Sequence, residues 1–96
     1  MNKDIYESLG DLSLKVFPQA GPIEHLRKLK EEADEAIEES SDIMEYVDCL
    51  LALYAAAYKA GFTYEDMVKS SNDKMEILKQ RKWMIREDGI YQHIKD

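Results

Sequence analysis

Residues Ile43–Ala60 read IMEYVDCLLALYAAAYKA, and the reading of this run decides the fold. Advanced by about 100° per residue, it is apolar nearly all the way round, the pattern of a helix packed on several sides. Its only charges are Glu45, Asp48 and, near the exit, Lys59. Two carboxylates inside a bilayer span would cost a few kcal/mol each, so the run is not read as a membrane helix. Glu45 and Asp48 stand at i and i+3 and share a face. The small residues Ala52, Ala55 and Ala56 lie beside them and leave room above the acids. Carboxylates on a buried helix must be paired, protonated or bound to a cation. Two partners answer that requirement: a Lys or Arg from a neighbouring helix, or a hard divalent ion such as Mg²⁺, which prefers oxygen ligands.

Outward from this run the punctuation is clear. Ser40-Ser41-Asp42 offers N-caps before it, and Gly61 suits the C′ position after it. Pro22 opens an earlier helix at its first position, where the missing N–H costs nothing. Ile23, Leu26, Leu29, Ala33, Ala36 and Ile37 form the apolar stripe of that helix. The first helix spans about Asp4 to Phe17, with Ile5, Leu9, Leu12 and Val16 at helical spacing. Gly10 weakens it by roughly 1 kcal/mol relative to alanine, and Pro18 stops it. Thr63, followed three residues later by Asp66, resembles a capping box for a fourth helix reaching about Met84. Met67, Val68, Met75 and Leu78 share one face of it. Asp88-Gly89 then turns the chain into a short tail, and no strand-like alternation runs over a useful length. The expectation is an all-α, four-helix bundle with a short C-terminal tail, one domain over residues 1–96. So short a chain buries only about 60–65% of its unfolded surface, so oligomerisation would help complete it.

Composition narrows the function. A net charge of −7 and a pI near 4.8 argue against nucleic-acid binding, which needs excess positive charge to neutralise phosphates. The single cysteine, Cys49, excludes an internal disulfide, fits a reducing cytoplasm and reads as inert core. Met1 to Glu7 lacks the apolar core of a signal peptide. Between Glu31 and Asp48 stand nine acids, with no Lys or Arg among them. On the second helix Glu32 falls at the edge of the apolar stripe and Glu35 one step further round, while Glu31 and Glu38 point to solvent. Taken alone, this is a solvated face. Set against Glu45 and Asp48 across two antiparallel helices, Glu32 and Glu35 complete a four-carboxylate group too negative to assemble without a metal. The charge reverses from Lys69 to Arg86, where Lys74 and Arg81, seven apart, lie along one edge of the fourth helix. That edge is a solubilising face or a phosphate-binding one. Trp83 reads as core or as a stacking surface for a base. His25, in the first turn of the second helix, could reach substrate, cap or pack. His93 could reach a neighbouring subunit's site.

Glu31-Glu32-Ala33-Asp34-Glu35 reads EExxE and Glu45-Tyr46-Val47-Asp48 reads ExxD, and the pair resembles the signature of the MazG-like all-α nucleoside triphosphate pyrophosphohydrolases. Gly21-Pro22-Ile23-Glu24-His25-Leu26, Lys74-Met75-Glu76-Ile77, Arg81-Lys82-Trp83 and Asp88-Gly89-Ile90-Tyr91-Gln92-His93 are similar to the phage dATP/dGTP diphosphohydrolase (MazZ-like) branch. The resemblance covers Phe17 to the C-terminus. It implies that Glu32, Glu35, Glu45 and Asp48 are ligands of Mg²⁺, with Mn²⁺ as a substitute. It implies that Glu31 holds or deprotonates a water, which makes Glu31, Glu32 and Glu35 the catalytic acids. Lys74 and Arg81 match positions that hold phosphates, and His25 joins them as a substrate-binding candidate. Only nine residues separate Glu35 from Glu45, and Leu78 stands where the K-x-x-x-N-x-x-R pattern carries Asn. The implied reaction splits a purine deoxynucleoside triphosphate into monophosphate and pyrophosphate, with Mg²⁺ polarising the phosphates and activating the attacking water. A homodimer or homotetramer in the cytoplasm (the host's, if phage-encoded) is also implied. The rival readings are a house-cleaning enzyme acting on dUTP, dCTP or modified nucleotides, and a non-catalytic acidic helical module binding a basic partner.

Overall fold

The computed structural model describes residues 2–95. Four helices follow one another: α1 (Lys3–Val16), α2 (Pro22–Glu38), α3 (Ile43–Lys59) and α4 (Tyr64–Gln80). A two-stranded antiparallel hairpin of β1 (Trp83–Ile85) and β2 (Tyr91–His93) closes the chain. The Cα positions form two compact units, one through Tyr64 and the other from Glu65.

In the first unit, α2 and α3 make a tight helical hairpin and α1 packs on α3. The ends obey local chemistry. The Asn2 side chain accepts from the Ile5 N–H at 3.0 Å and the Asp42 side chain from the Met44 N–H at 2.9 Å. These are two N-caps that satisfy otherwise orphaned donors. Pro22 begins α2, and the Glu24 carboxylate accepts from the Gly21 N–H at 2.8 Å. After α3 the Phe62 N–H donates to the Ala57 carbonyl and the Gly61 N–H to the Tyr58 carbonyl. This Schellman closure needs the left-handed φ of +94° that Gly61 supplies. Lys59 Nζ reaches back to the carbonyls of Phe17 (2.8 Å) and Ala20 (2.7 Å), tying the end of α1 to the end of α3.

Two expectations about faces are corrected. On α1 the buried residues are Tyr6, Gly10 and Ser13, while Ile5, Leu12 and Val16 are exposed. The contact is aromatic: Tyr6 packs edge-on against Tyr54 with centroids 5.2 Å apart, and tilts against Tyr58 and Tyr64. Its hydroxyl donates to the Phe62 carbonyl at 2.8 Å. Gly10 faces the Tyr58 ring so closely that a Cβ would collide with it. Helix α3 is not enclosed on all sides either. Ala55 and Ala56 are buried, but Ile43, Met44, Tyr46 and Leu53 are exposed in the single chain.

In the second unit α4 ends at Gln80, short of the expected Met84. Trp83–Ile85 is a strand, with Trp83 opposite His93 and Ile85 opposite Tyr91. The loop is fastened by Gly89 at φ +86°, by the Ile90 N–H donating to Asp88 Oδ1, and by an Arg86–Asp88 ion pair at 2.6 Å. Backbone pairing across this Asp-Gly turn takes residues that side-chain periodicity assigned to the helix. Among the described residues, no helix is long and apolar enough to cross a membrane.

Candidate metal and nucleotide site

The short α2–α3 connection turns the chain back so that the acidic end of α2 faces the start of α3. One carboxylate oxygen from each of Glu32, Glu35 and Glu45 lies within 4.8 Å of the others. Glu32 is held low on the wall of the helix pair, its side chain 13% exposed, and Lys28 Nζ approaches it at 3.3 Å. Hydrogen bonding to Glu32 raises the Glu35 carboxyl above its ordinary value, with the charges of Glu32 and Glu45 adding and Lys28 opposing. Burial is the main cause holding Glu45 above the usual range, followed by the neighbouring charges of Asp48, Asp42 and Glu32. Its Oε2 is buried without a hydrogen-bond partner. Among the described residues no Lys or Arg pairs with Glu35, Glu45 or Asp48. Such a set of hard oxygens, crowded and only once countered, fits a divalent cation.

The other candidates fall in several places. Asp48 is exposed; its charge acts on Glu45 but its oxygens lie outside the close trio. Glu31 is exposed and approaches Lys28 at 3.9 Å. Cys49 is half-buried beside the cluster, its thiol pushed up first by burial and then by the charges of Glu32, Asp48 and Glu45. His25 is buried at the start of α2, edge-on to Phe17 with centroids 6.0 Å apart. Burial chiefly lowers its pKa, the Lys59 charge lowers it further, and Glu24 opposes.

In the second unit Lys74 lines a shallow groove with Ser70 and Ser71. Arg81 stands just past the end of α4, so the shared helical edge expected for Lys74 and Arg81 is not formed. Arg81 instead lines a separate cavity with Lys82, His93 and Lys95. Trp83 is 43% exposed and meets His93 edge-on. Sequence reasoning passed over Lys28, although its i, i+4 spacing to Glu32 is the signal of a helical ion pair.

An all-α chain whose helical hairpin gathers carboxylates at one end has the architecture in which helix bundles hold metal ions. The chain matches the family described as dATP/dGTP pyrophosphohydrolase over residues 5–96, and it belongs to that family. It is therefore a nucleotide pyrophosphohydrolase, a hydrolase acting on acid anhydrides, and not a non-catalytic acidic module. Comparison with curated proteins finds no match. Among solved structures it is similar to the MazG-like pyrophosphohydrolase of cyanophage S-2L, bound to dGDP and three catalytic Mn²⁺ ions per active site. The two share 24% identity and a TM-score of 0.80 over 96% of this chain and 95% of the other, which establishes the shared fold.

Proposed function

We propose that this chain hydrolyses dATP and dGTP to the deoxynucleoside monophosphate and pyrophosphate, with Mg²⁺ as its metal and Mn²⁺ able to substitute. The observation that carries the reading is the convergence of Glu32, Glu35 and Glu45, with one Glu45 oxygen buried and unpartnered. These three, with Asp48 as a fourth, would hold the metal. When bound, a divalent ion supplies Lewis-acid polarisation of phosphate oxygens and a more acidic water. Glu31, one residue from Glu32 and open to solvent, orients or deprotonates the water that attacks the α-phosphorus as the bond to the pyrophosphate oxygen breaks. Lys74 and Arg81 bind the triphosphate and steady the charge on the leaving pyrophosphate, and His25 meets the nucleoside end.

The family match spans both compact units, which supports a single catalytic domain over residues 1–96. Ile37 and Ile43, 75% and 73% exposed on the α2–α3 hairpin, support a homodimer or homotetramer that covers them. A cytoplasmic location follows from the substrate pool.

Pyrophosphate release across dATP, dGTP, dCTP, dTTP and dUTP with Mg²⁺ tests the reading. The purine substrates are expected to lead, and Glu32→Gln, Glu45→Gln or Asp48→Asn to abolish turnover. Lys74→Ala should raise KM or lower kcat modestly, and full activity would remove Lys74 from the site. Preference for dUTP or dCTP would make the chain a house-cleaning enzyme instead.

A further inference from the structure

Among the described residues, Lys28 is the one cation paired with the acidic trio. Its Nζ stands 3.3 Å from a Glu32 oxygen and 3.9 Å from one of Glu31. The two ends of the Lys28–Glu32 pair are held very differently. The Glu32 side chain is 13% exposed, while that of Lys28 is 55% exposed on a four-carbon stem free to swing. The pair also runs in the weaker helical order, since glutamate is better placed N-terminal to lysine at this spacing than C-terminal to it. Glu32 is therefore the fixed partner and Lys28 the exchangeable one. The charge balance calls for that exchange. Oxygens of Glu32, Glu35 and Glu45 converge within 4.8 Å, and a single ammonium leaves them well short of neutral. A divalent ion among these oxygens satisfies them more fully, and its like charge drives the ammonium from Glu32.

We infer that Lys28 is a resident counter-ion, which gives up Glu32 when the metal site is filled and passes to the phosphates of the nucleotide. The inference rests on the metal-dependent pyrophosphohydrolase reading and adds a residue to its phosphate-binding set. Lys28 then has two opposed effects. Before substrate arrives it competes for Glu32 and holds metal affinity down. Once nucleotide is present, the freed ammonium donates to a phosphate oxygen, a charge-assisted contact. Glu31, 70% exposed, is too open to water to hold the ammonium firmly in place of Glu32. Metal and nucleotide thus favour each other's binding through Lys28, and the coupling is reciprocal.

The test follows Mn²⁺ binding to the protein through loss of the free-ion EPR signal, in wild type, Lys28→Met, Lys30→Met and Glu45→Gln. Binding of a dATP analogue with an imido group between the α- and β-phosphates is then measured at saturating Mn²⁺. Lys28→Met keeps a long unbranched stem and good helix propensity, with its melting temperature as the control for folding. It should bind Mn²⁺ alone roughly two- to fivefold more tightly, the scale of one partly exposed ion pair. Loaded with Mn²⁺, it should bind the analogue roughly three- to tenfold more weakly, the loss of one polar contact. A lysine that merely braced the helix would weaken both when lost. Lys30 carries the same charge on the same helix but, two residues from Glu32, faces another way. Lys30→Met should move both values less, and equal shifts in the two variants would reduce the effect to net charge and overturn the inference. Unchanged or weaker Mn²⁺ binding by Lys28→Met, or analogue binding equal to wild type, also overturns it. Glu45→Gln separates the two levels. Mn²⁺ binding that is lost in Glu45→Gln but unaltered in Lys28→Met sinks the counter-ion alone. Mn²⁺ binding that survives Glu45→Gln sinks the metal reading and the counter-ion with it.

Discussion

Glu45, in the proposed metal site, sits there at the expense of stability. Its folded-state pKa lies above the ordinary 4.5 because burial and neighbouring acids penalise the charged form. A raised folded-state value means that ionised Glu45 opposes folding at neutral pH. Glu45→Gln, melted without divalent ions, should therefore be more stable than the parent above that raised pKa. The advantage should vanish as pH falls below about 4.5, where the acid is protonated in both states. A variant less stable than the parent at pH 7 would contradict this. His25 has the opposite linkage. Its pKa is lowered from 6.5, so the folded state binds less proton than the unfolded chain. Its contribution is complete above pH 6.5 and is lost as pH falls through the folded value. Urea melts at pH 7.5 and 5.5 should show the gap between wild type and His25→Gln narrowing at the lower pH.

At the scale of elements, Gly10 reverses its usual meaning. Replacing a mid-helix glycine with alanine ordinarily gains about 1 kcal/mol. Here the Cβ would enter the Tyr58 ring where α1 crosses α3, and overpacking of that kind costs about 1–3 kcal/mol. Gly10→Ala should leave the protein less stable in urea, by about 1 kcal/mol, and a stabilised variant would show that the helices separate easily. Helix α2 was legible because Pro22 and the apolar stripe agree with each other. The end of α4 was not. Lys79 to Met84 keeps helical periodicity in one dimension, but the pairing of Trp83–Ile85 with Tyr91–His93 depends on a partner strand eight residues away.

Across the whole molecule the apolar residues outnumber the places to bury them. Among the described residues only Tyr6 of the large hydrophobic side chains is fully covered, while Ile23, Ile37, Ile43 and Met44 face outward. Sedimentation at micromolar concentration should find a dimer or tetramer, and Ile37→Glu should shift it toward monomer. A wild-type monomer would refute the oligomer. The first helix explains part of this surplus. Of the residues at helical spacing, Ile5, Leu12 and Val16 remain outside and Leu9 is half-buried, because tyrosines, a glycine and a serine make the contact with α3.

Helix order, the caps at Asp42 and Gly61, and the carboxylates of α2 and α3 are legible in the chain, since each depends on neighbours within a turn or two and on a fixed 3.6-residue period. Residue spacing alone puts Glu32, Glu35 and Glu45 on meeting faces once a short loop joins the helices. Tertiary structure alone decides which acids come within reach of one another, that Asp48 stands further out, and that α1 turns its tyrosine face inward. Those outcomes depend on how helices cross and on side-chain volumes across the gap, and neither is encoded in the period of any single segment.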